Sequence, residues 1–155
     1  MLTPKLLIKS NIFTHIAVIS LYSKQKAILI MSNKINILIA DDQSSIRDLL
    51  KDIISSLGEN VVGEAVNGLE VVELYKKLQP DLTLLDINMP QMDGKQALRA
   101  IREEDPKAIV SMLTSQNTMD IVRQCMEFGA KNFILKTEPD AIKTELKKMI
   151  KILKK

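Results

Sequence analysis

Residues 34–155 predict an α/β fold, a five-stranded parallel sheet wound on both faces by helices. Two observations carry this. Five short apolar runs alternate strictly with five helical patterns, and no spacer is long enough for a second domain. Alternation of that kind, through connections of a few residues, requires right-handed crossovers and a parallel sheet. The third run, Leu82 to Leu85, is apolar throughout and leads straight into Asp86, with Met89-Pro90 behind it. A continuous apolar run reads as a strand buried on both faces. Pro90 cannot continue a ladder and restricts Met89, so the chain must leave the sheet after Asp86.

Each element has its own signal. Ile35 to Ala40 is the first strand, ending in Asp41-Asp42. Ser45 with Asp48 three residues later has the form of a capping box. The helix behind it carries Ile46, Leu49, Leu50, Ile53, Ile54 and Leu57 on one face, and Gly58 stops it. Val61 to Val66 is the second strand. Asn67 with Glu70 starts a helix whose face is Val71, Leu74, Tyr75 and Leu78, with Pro80 as the stop. After the third strand, Asp93-Gly94 leads into a helix near Lys95 to Glu103 that packs Ala97, Leu98 and Ile101. Ala108 to Leu113 is the fourth strand. Asn117 with Asp120 caps a helix burying Ile121, Val122, Cys125 and Met126, closed by Gly129. Asn132 to Leu135 is the fifth strand. The last helix runs from about Pro139 to Leu153 and buries Ile142, Leu146, Met149, Ile150 and Leu153.

Composition excludes several classes. A chain of 155 residues with 46% hydrophobic and 26% charged residues has ordinary globular values. The one cysteine, Cys125, allows no intramolecular disulfide and fits a reducing cytoplasm. His15 is the only histidine, so no Cys/His zinc site is on offer. The net charge of +3 is unevenly placed: residues 1–30 hold Lys5, Lys9, Lys24 and Lys26 and no acid, while the remainder is near neutral. A near-neutral body argues against a nucleic-acid partner. The run Lys147, Lys148, Lys151, Lys154 and Lys155 reads as a solvated helix face.

Residues 1–33 do not conform to the pattern that follows. Ile12 to Tyr22 is mostly apolar, but about eleven residues fall short of the roughly 20 a membrane span needs. A basic start before such a stretch imitates an export signal, yet no small-residue cleavage site follows it. Met31-Ser32-Asn33-Lys34 opens directly onto the first strand, as a natural start would. The segment is expected to be a disordered leader or an over-extended start, with no membrane insertion.

The polar strand ends belong together. Asp41-Asp42, Asp86, Thr114-Ser115 and Lys136 end four strands at the same carboxyl edge of a parallel sheet, where open α/β folds place their chemistry. Three crowded carboxylates repel unless a proton or a cation intervenes. A hard divalent cation with oxygen ligands resolves this, and Mg²⁺ is the natural candidate. A lysine and a threonine hydroxyl aimed at the same point supply a positive charge and a donor for an anion's oxygens. Together they describe a site for receiving a phosphoryl group, with an aspartate as covalent acceptor.

With these residues assembled, the chain from about Lys34 to Leu153 resembles a response-regulator receiver domain of the CheY-like family. The string DINMPQMDG, preceded by the Asp pair and followed by the threonine and lysine, carries the resemblance. It implies a flavodoxin-like (βα)5 fold with strand order 2-1-3-4-5. It implies Asp86 as phosphoacceptor, Asp42 and the Asn88 carbonyl as Mg²⁺ ligands beside Asp86, and Asp41 acting through a metal-held water. Thr114 would be the switch hydroxyl, Lys136 the phosphoryl contact and Phe133 the switch aromatic. The implied protein is not an enzyme but a cytoplasmic phosphorylation switch. A histidine kinase would charge it, and a flagellar motor switch or phosphotransfer protein would read it. A relay intermediate and a pseudo-receiver that never sees phosphate are the alternatives.

One departure stands out. Thr137 follows Lys136 where the family usually has proline, often through a cis bond. A cis bond to a non-proline residue costs roughly 2.5–4 kcal/mol, so a trans bond is expected. Thr137 with Asp140 offers a capping box, with Pro139 in the first helical turn. Two rivals are disfavoured by particular residues. A phosphatase-type hydrolase wants an acid two residues after the nucleophile, where this chain has Asn88. A flavin carrier needs a phosphate-cradling loop after the first strand, where Asp41-Asp42 would repel the phosphate.

Overall fold

The computed structural model describes residues 16–26, 34–116 and 118–155. Residues 16–26 are helical, with Ile16, Val18, Ile19, Leu21 and Tyr22 exposed. The rest of the N-terminal segment, and with it much of the expectation of a disordered leader, lies outside the described residues.

Residues 35–155 form one compact unit. It comprises β1 (Asn36–Ala40), α1 (Ser44–Ser56), β2 (Asn60–Ala65), α2 (Gly68–Leu78), β3 (Leu82–Asp86), α3 (Gly94–Glu104), β4 (Val110–Thr114), α4 (Met119–Glu127), β5 (Asn132–Leu135) and α5 (Pro139–Leu153). Every strand pairing is parallel and the order is β2-β1-β3-β4-β5. The α/β class, the doubly wound parallel sheet and the strand order are therefore as expected.

Period-2 alternation splits the sheet into two core layers. Leu38, Ala40, Leu85 and Met112 face Val71, Tyr75, Ala97, Leu98, Ile101 and Cys125 of α2, α3 and α4. Ile37, Ile39, Leu84, Leu113 and Ile134 face Leu50, Ile53, Ile54, Ile142, Leu146 and Ile150 of α1 and α5. Burying each large aliphatic side chain stabilises by about 1.5–3 kcal/mol. β3, central and buried at all five positions, thus holds Asp86 at the middle of the sheet's carboxyl edge.

The helix starts differ from expectation in three places. At α1 the cap position is Gln43, without a side-chain cap bond. The helix begins ahead of Ser45, so no Ser45–Asp48 box forms, and Asp48 pairs with Lys51 at 2.9 Å instead. At α4 the cap is Thr118, which accepts from the Ile121 N–H; Asn117 lies outside the described residues. At α5 Pro139 occupies the first turn and Glu138 the cap position, with no side-chain cap bond. Thr137 therefore sits one residue too early to form a box with Asp140.

The α2 cap is as expected, Asn67 Oδ1 accepting from Glu70 N–H at 2.9 Å. At α3 Asp93 and Gln96 form a reciprocal capping box. Met126, expected in the core, is 51% exposed, because nine-residue α4 turns only Cys125 fully inward. No cis peptide occurs among the described residues, so the Lys136–Thr137 bond is trans as expected.

Candidate functional site

Parallel register fixes the site before any side chain is placed. Ala40 pairs with Leu85, Asp86 with Leu113, and Thr114 with Leu135, so β1, β3, β4 and β5 end level. The ladder runs one residue past two of these ends. Asp41 N–H donates to Ala65 O at 3.1 Å, and Lys136 N–H donates to Thr114 O at 2.8 Å. Asp41 and Lys136 are thereby held on sheet backbone rather than on free loops.

Lys136 bridges two acids. Its Nζ lies 2.5 Å from Asp41 Oδ2 and 2.7 Å from Asp86 Oδ1. All three side chains are buried, at 8% exposure or less. The other oxygen of Asp41, Oδ1, accepts from the Gln43 N–H at 3.0 Å, so both of its oxygens are engaged. Burial pushes the Asp86 carboxyl above the usual carboxylate range; Lys136 pulls it back, and the Asp41 charge adds to the push.

Asp42 is exposed beside the pair, and one oxygen from each of Asp41, Asp42 and Asp86 lies within 4.8 Å of the others. Three carboxylates and one ammonium leave a net charge of −2 at full ionisation, which suits a hard divalent cation. A cleft of about 280 Å³ opens over them, lined by Asp42, Gln43, Asp86, Asn88, Ser115 and Lys136, with Ile46 at its side. A larger groove of about 440 Å³, at Ile109, Met149 and Ile152, has no crowded carboxylates. The chemistry gathers at the smaller one.

Three expected residues do not line the cleft: Asp41, buried against Lys136, and Thr114 and Phe133. Thr114 is buried, and its hydroxyl donates to Gln116 O at 2.6 Å while accepting from Gln116 N–H at 3.0 Å. Phe133 is half-buried and packs against the core layer of Met112 and Cys125. Asn88 is exposed at the cleft.

Sequence reasoning passed over Arg47. From α1 its Nη1 donates to Asp41 O at 2.9 Å and Asp42 O at 3.4 Å, while its Nε meets Glu64 Oε2 at 3.3 Å. With 16% side-chain exposure it clamps the backbone of the acid pair to β2. Only its spacing of five residues from Asp42 could have pointed to it. Gly94 was read merely as part of a helix entry. A Cβ there would overlap the Asp86 carbonyl oxygen, so only glycine lets α3 start this close to the end of β3.

Comparison with known proteins gives a consistent picture. The family described as response regulator receiver domain matches residues 37–150. The chain is 40% identical over 116 residues to the chemotaxis protein CheY of Thermotoga maritima, covering 74% of this chain and 97% of that protein. It is 43% identical over 100 residues to CheY of Bacillus subtilis, covering 64% and 83% respectively. Among solved structures, the CheX–CheY–BeF3–Mg complex from Borrelia burgdorferi aligns with a TM-score of 0.70 at 34% identity. That alignment covers 76% of this chain and 88% of the solved one.

Proposed function

Because the chain belongs to the response regulator receiver domain family, we propose that it is a phosphorylation switch of a two-component system, with Asp86 as the phosphoacceptor. A carboxylate oxygen of Asp86 bonds the phosphorus of a phosphohistidine on a partner histidine kinase. The P–N bond breaks and its electron pair stays on the departing imidazole nitrogen. The observation that carries this reading is Lys136 Nζ lodged between Asp41 and Asp86, where it can shift onto an incoming phosphoryl oxygen. Transfer of this kind needs positioning and charge stabilisation more than covalent participation by other groups.

Asp42, Asp86 and the Asn88 carbonyl are the proposed holders of Mg²⁺, and the crowded oxygens and net charge fit that ion. When bound, Mg²⁺ neutralises charge on the phosphoryl oxygens. Asp41, with both oxygens already engaged, acts at one remove. Arg47→Ala is expected to loosen the Asp41-Asp42 turn and weaken Mg²⁺ binding about tenfold, roughly 1.4 kcal/mol. Calorimetric titration with Mg²⁺ alone checks this, and an unchanged affinity removes Arg47 from the site.

The functional unit is residues 34–155, working in the cytoplasm, with 1–33 as an extension. None of the described helices is long and apolar enough to cross a membrane. The phosphoryl mark is read by a protein partner, a flagellar motor switch or phosphotransfer protein, as the likeness to chemotaxis proteins supports. Met119, Met126 and Leu135, exposed on α4 and β5, offer apolar contacts for it.

Beryllofluoride with Mg²⁺, a mimic of aspartyl-phosphate, tests the switch by NMR. Signals are expected to move at Asp42, Asp86 and Thr114 and also remotely, from α4 through Phe133 to Ile142. Movement confined to the site would favour a relay intermediate. No movement, with Mg²⁺ shown to bind, would favour the pseudo-receiver.

A further inference from the structure

We propose that the hydroxyl of Ser115 contacts the phosphoryl group on Asp86 directly, leaving Thr114 to carry the switch. The inference rests on Asp86 being the acceptor. Thr114 and Ser115 are adjacent hydroxyls at the end of β4, and the structure treats them differently. The Thr114 hydroxyl closes a tight ring with Gln116, donating to its carbonyl at 2.6 Å and accepting from its N–H at 3.0 Å. It is 2% exposed and does not line the cleft. To donate to a phosphoryl oxygen it must give up its bond to the Gln116 carbonyl and turn. Ser115 lies past the last ladder residue, is exposed, and lines the cleft with Asp86, Asn88 and Lys136.

The chemistry suits that position. An aspartyl-phosphate presents phosphoryl oxygens that need donors, and Lys136 is a single ammonium already shared between two acids. A serine hydroxyl is a neutral donor that rotates freely, so it adds a hydrogen bond without competing for the metal's charge. Its short side chain loses little rotamer freedom on binding. Capture and transmission are thereby divided between neighbours. Ser115 engages the phosphoryl group as the site stands, and Thr114 moves only when the Gln116 ring opens.

The test uses the full chain, beryllofluoride and Mg²⁺, read by titration and by ¹⁹F NMR of the bound fluorines. Ser115→Ala is expected to weaken beryllofluoride binding about threefold to tenfold, the span of one hydrogen bond. It should also displace one bound fluorine resonance, a change that a purely structural role would not produce. Ser115→Thr should restore much of the affinity. At saturation the Ser115→Ala protein should still show the remote shifts in α4 and β5, whereas Thr114→Ala should lose them. An unchanged affinity and fluorine spectrum in Ser115→Ala overturns the proposal while leaving Asp86 as the acceptor. A wild-type chain that binds no beryllofluoride, like an Asp86→Asn control, overturns the acceptor reading and this proposal with it.

Discussion

Asp86→Asn is expected to accept no phosphoryl group from any donor while keeping the fold. The amide cannot attack phosphorus as the carboxylate does. Asp41 has both oxygens engaged, by Gln43 N–H and Lys136 Nζ, and Asp42 is the exposed acid of the group. The substitution also changes stability in a direction fixed by the environment. Burial raises the Asp86 carboxyl above its usual range despite Lys136. The folded chain therefore binds that proton more readily than the unfolded chain. The associated stability is complete below the unfolded value and is lost as pH rises through the folded one. A charged Asp86 at neutral pH accordingly costs stability, and asparagine removes that cost. Without Mg²⁺, Asp86→Asn should melt at or above the wild type at neutral pH, with the gap closing as the pH falls below the carboxylate range. Radiolabel from a small-molecule phosphodonor reads the first outcome and calorimetry the second. Wild-type labelling of the variant would remove Asp86 as acceptor; a lower melting temperature would mean that the Lys136 contact outweighs burial.

What the sequence made legible follows from what each feature depends on. β5 and α5 begin and end at the expected residues because apolar period and a proline mark them locally. The gathering of Asp41, Asp42, Asp86 and Lys136 was legible too, since parallel strands place all their carboxyl ends on one edge. Helix caps were less so. Ser45 and Thr137 each had the right side chain within two residues of the true cap position. A shift of one residue decides whether that side chain meets an orphan N–H. Arg47 and Gly94 were illegible for a deeper reason. Arg47 acts on backbone carbonyls of the acid pair, and Gly94 acts through the side chain it lacks. Neither kind of contact leaves a trace in hydropathy or charge pattern. The division between Thr114 and Ser115 is of the same sort, because only the ring closed by Gln116 distinguishes two neighbouring hydroxyls.

Gly94→Ala is the substitution outside the charged cluster expected to damage it most. Gly94 N–H donates to Ile87 O at 2.8 Å, which folds the DINMPQMDG loop back onto the end of β3. A methyl group at Gly94 would overlap the Asp86 carbonyl oxygen and come within 2.8 Å of the Ile87 Cα. Both are backbone atoms, so no rotamer change relieves the clash, and either α3 or the Asp86 peptide must shift. Overpacking of this kind costs about 1–3 kcal/mol, which a domain of ordinary stability, about 5–15 kcal/mol, survives. Function has less margin. Asp86 is placed 2.7 Å from Lys136 by the very peptide that the added methyl group presses against. A displacement of about 1 Å at a reacting group costs on the order of 100-fold in rate. Gly58→Ala is the matched control. Its φ of +80° strains any side chain, but a Cβ there meets nothing within 4 Å, and it lies at the end of α1, away from the cleft. That variant should lose stability by roughly 1–2 kcal/mol and still phosphorylate like the wild type. Phosphorylation rates for the two variants, each measured beside its melting temperature, separate the effects. Equal rates at equal destabilisation would show that the acceptor is not positioned through Gly94.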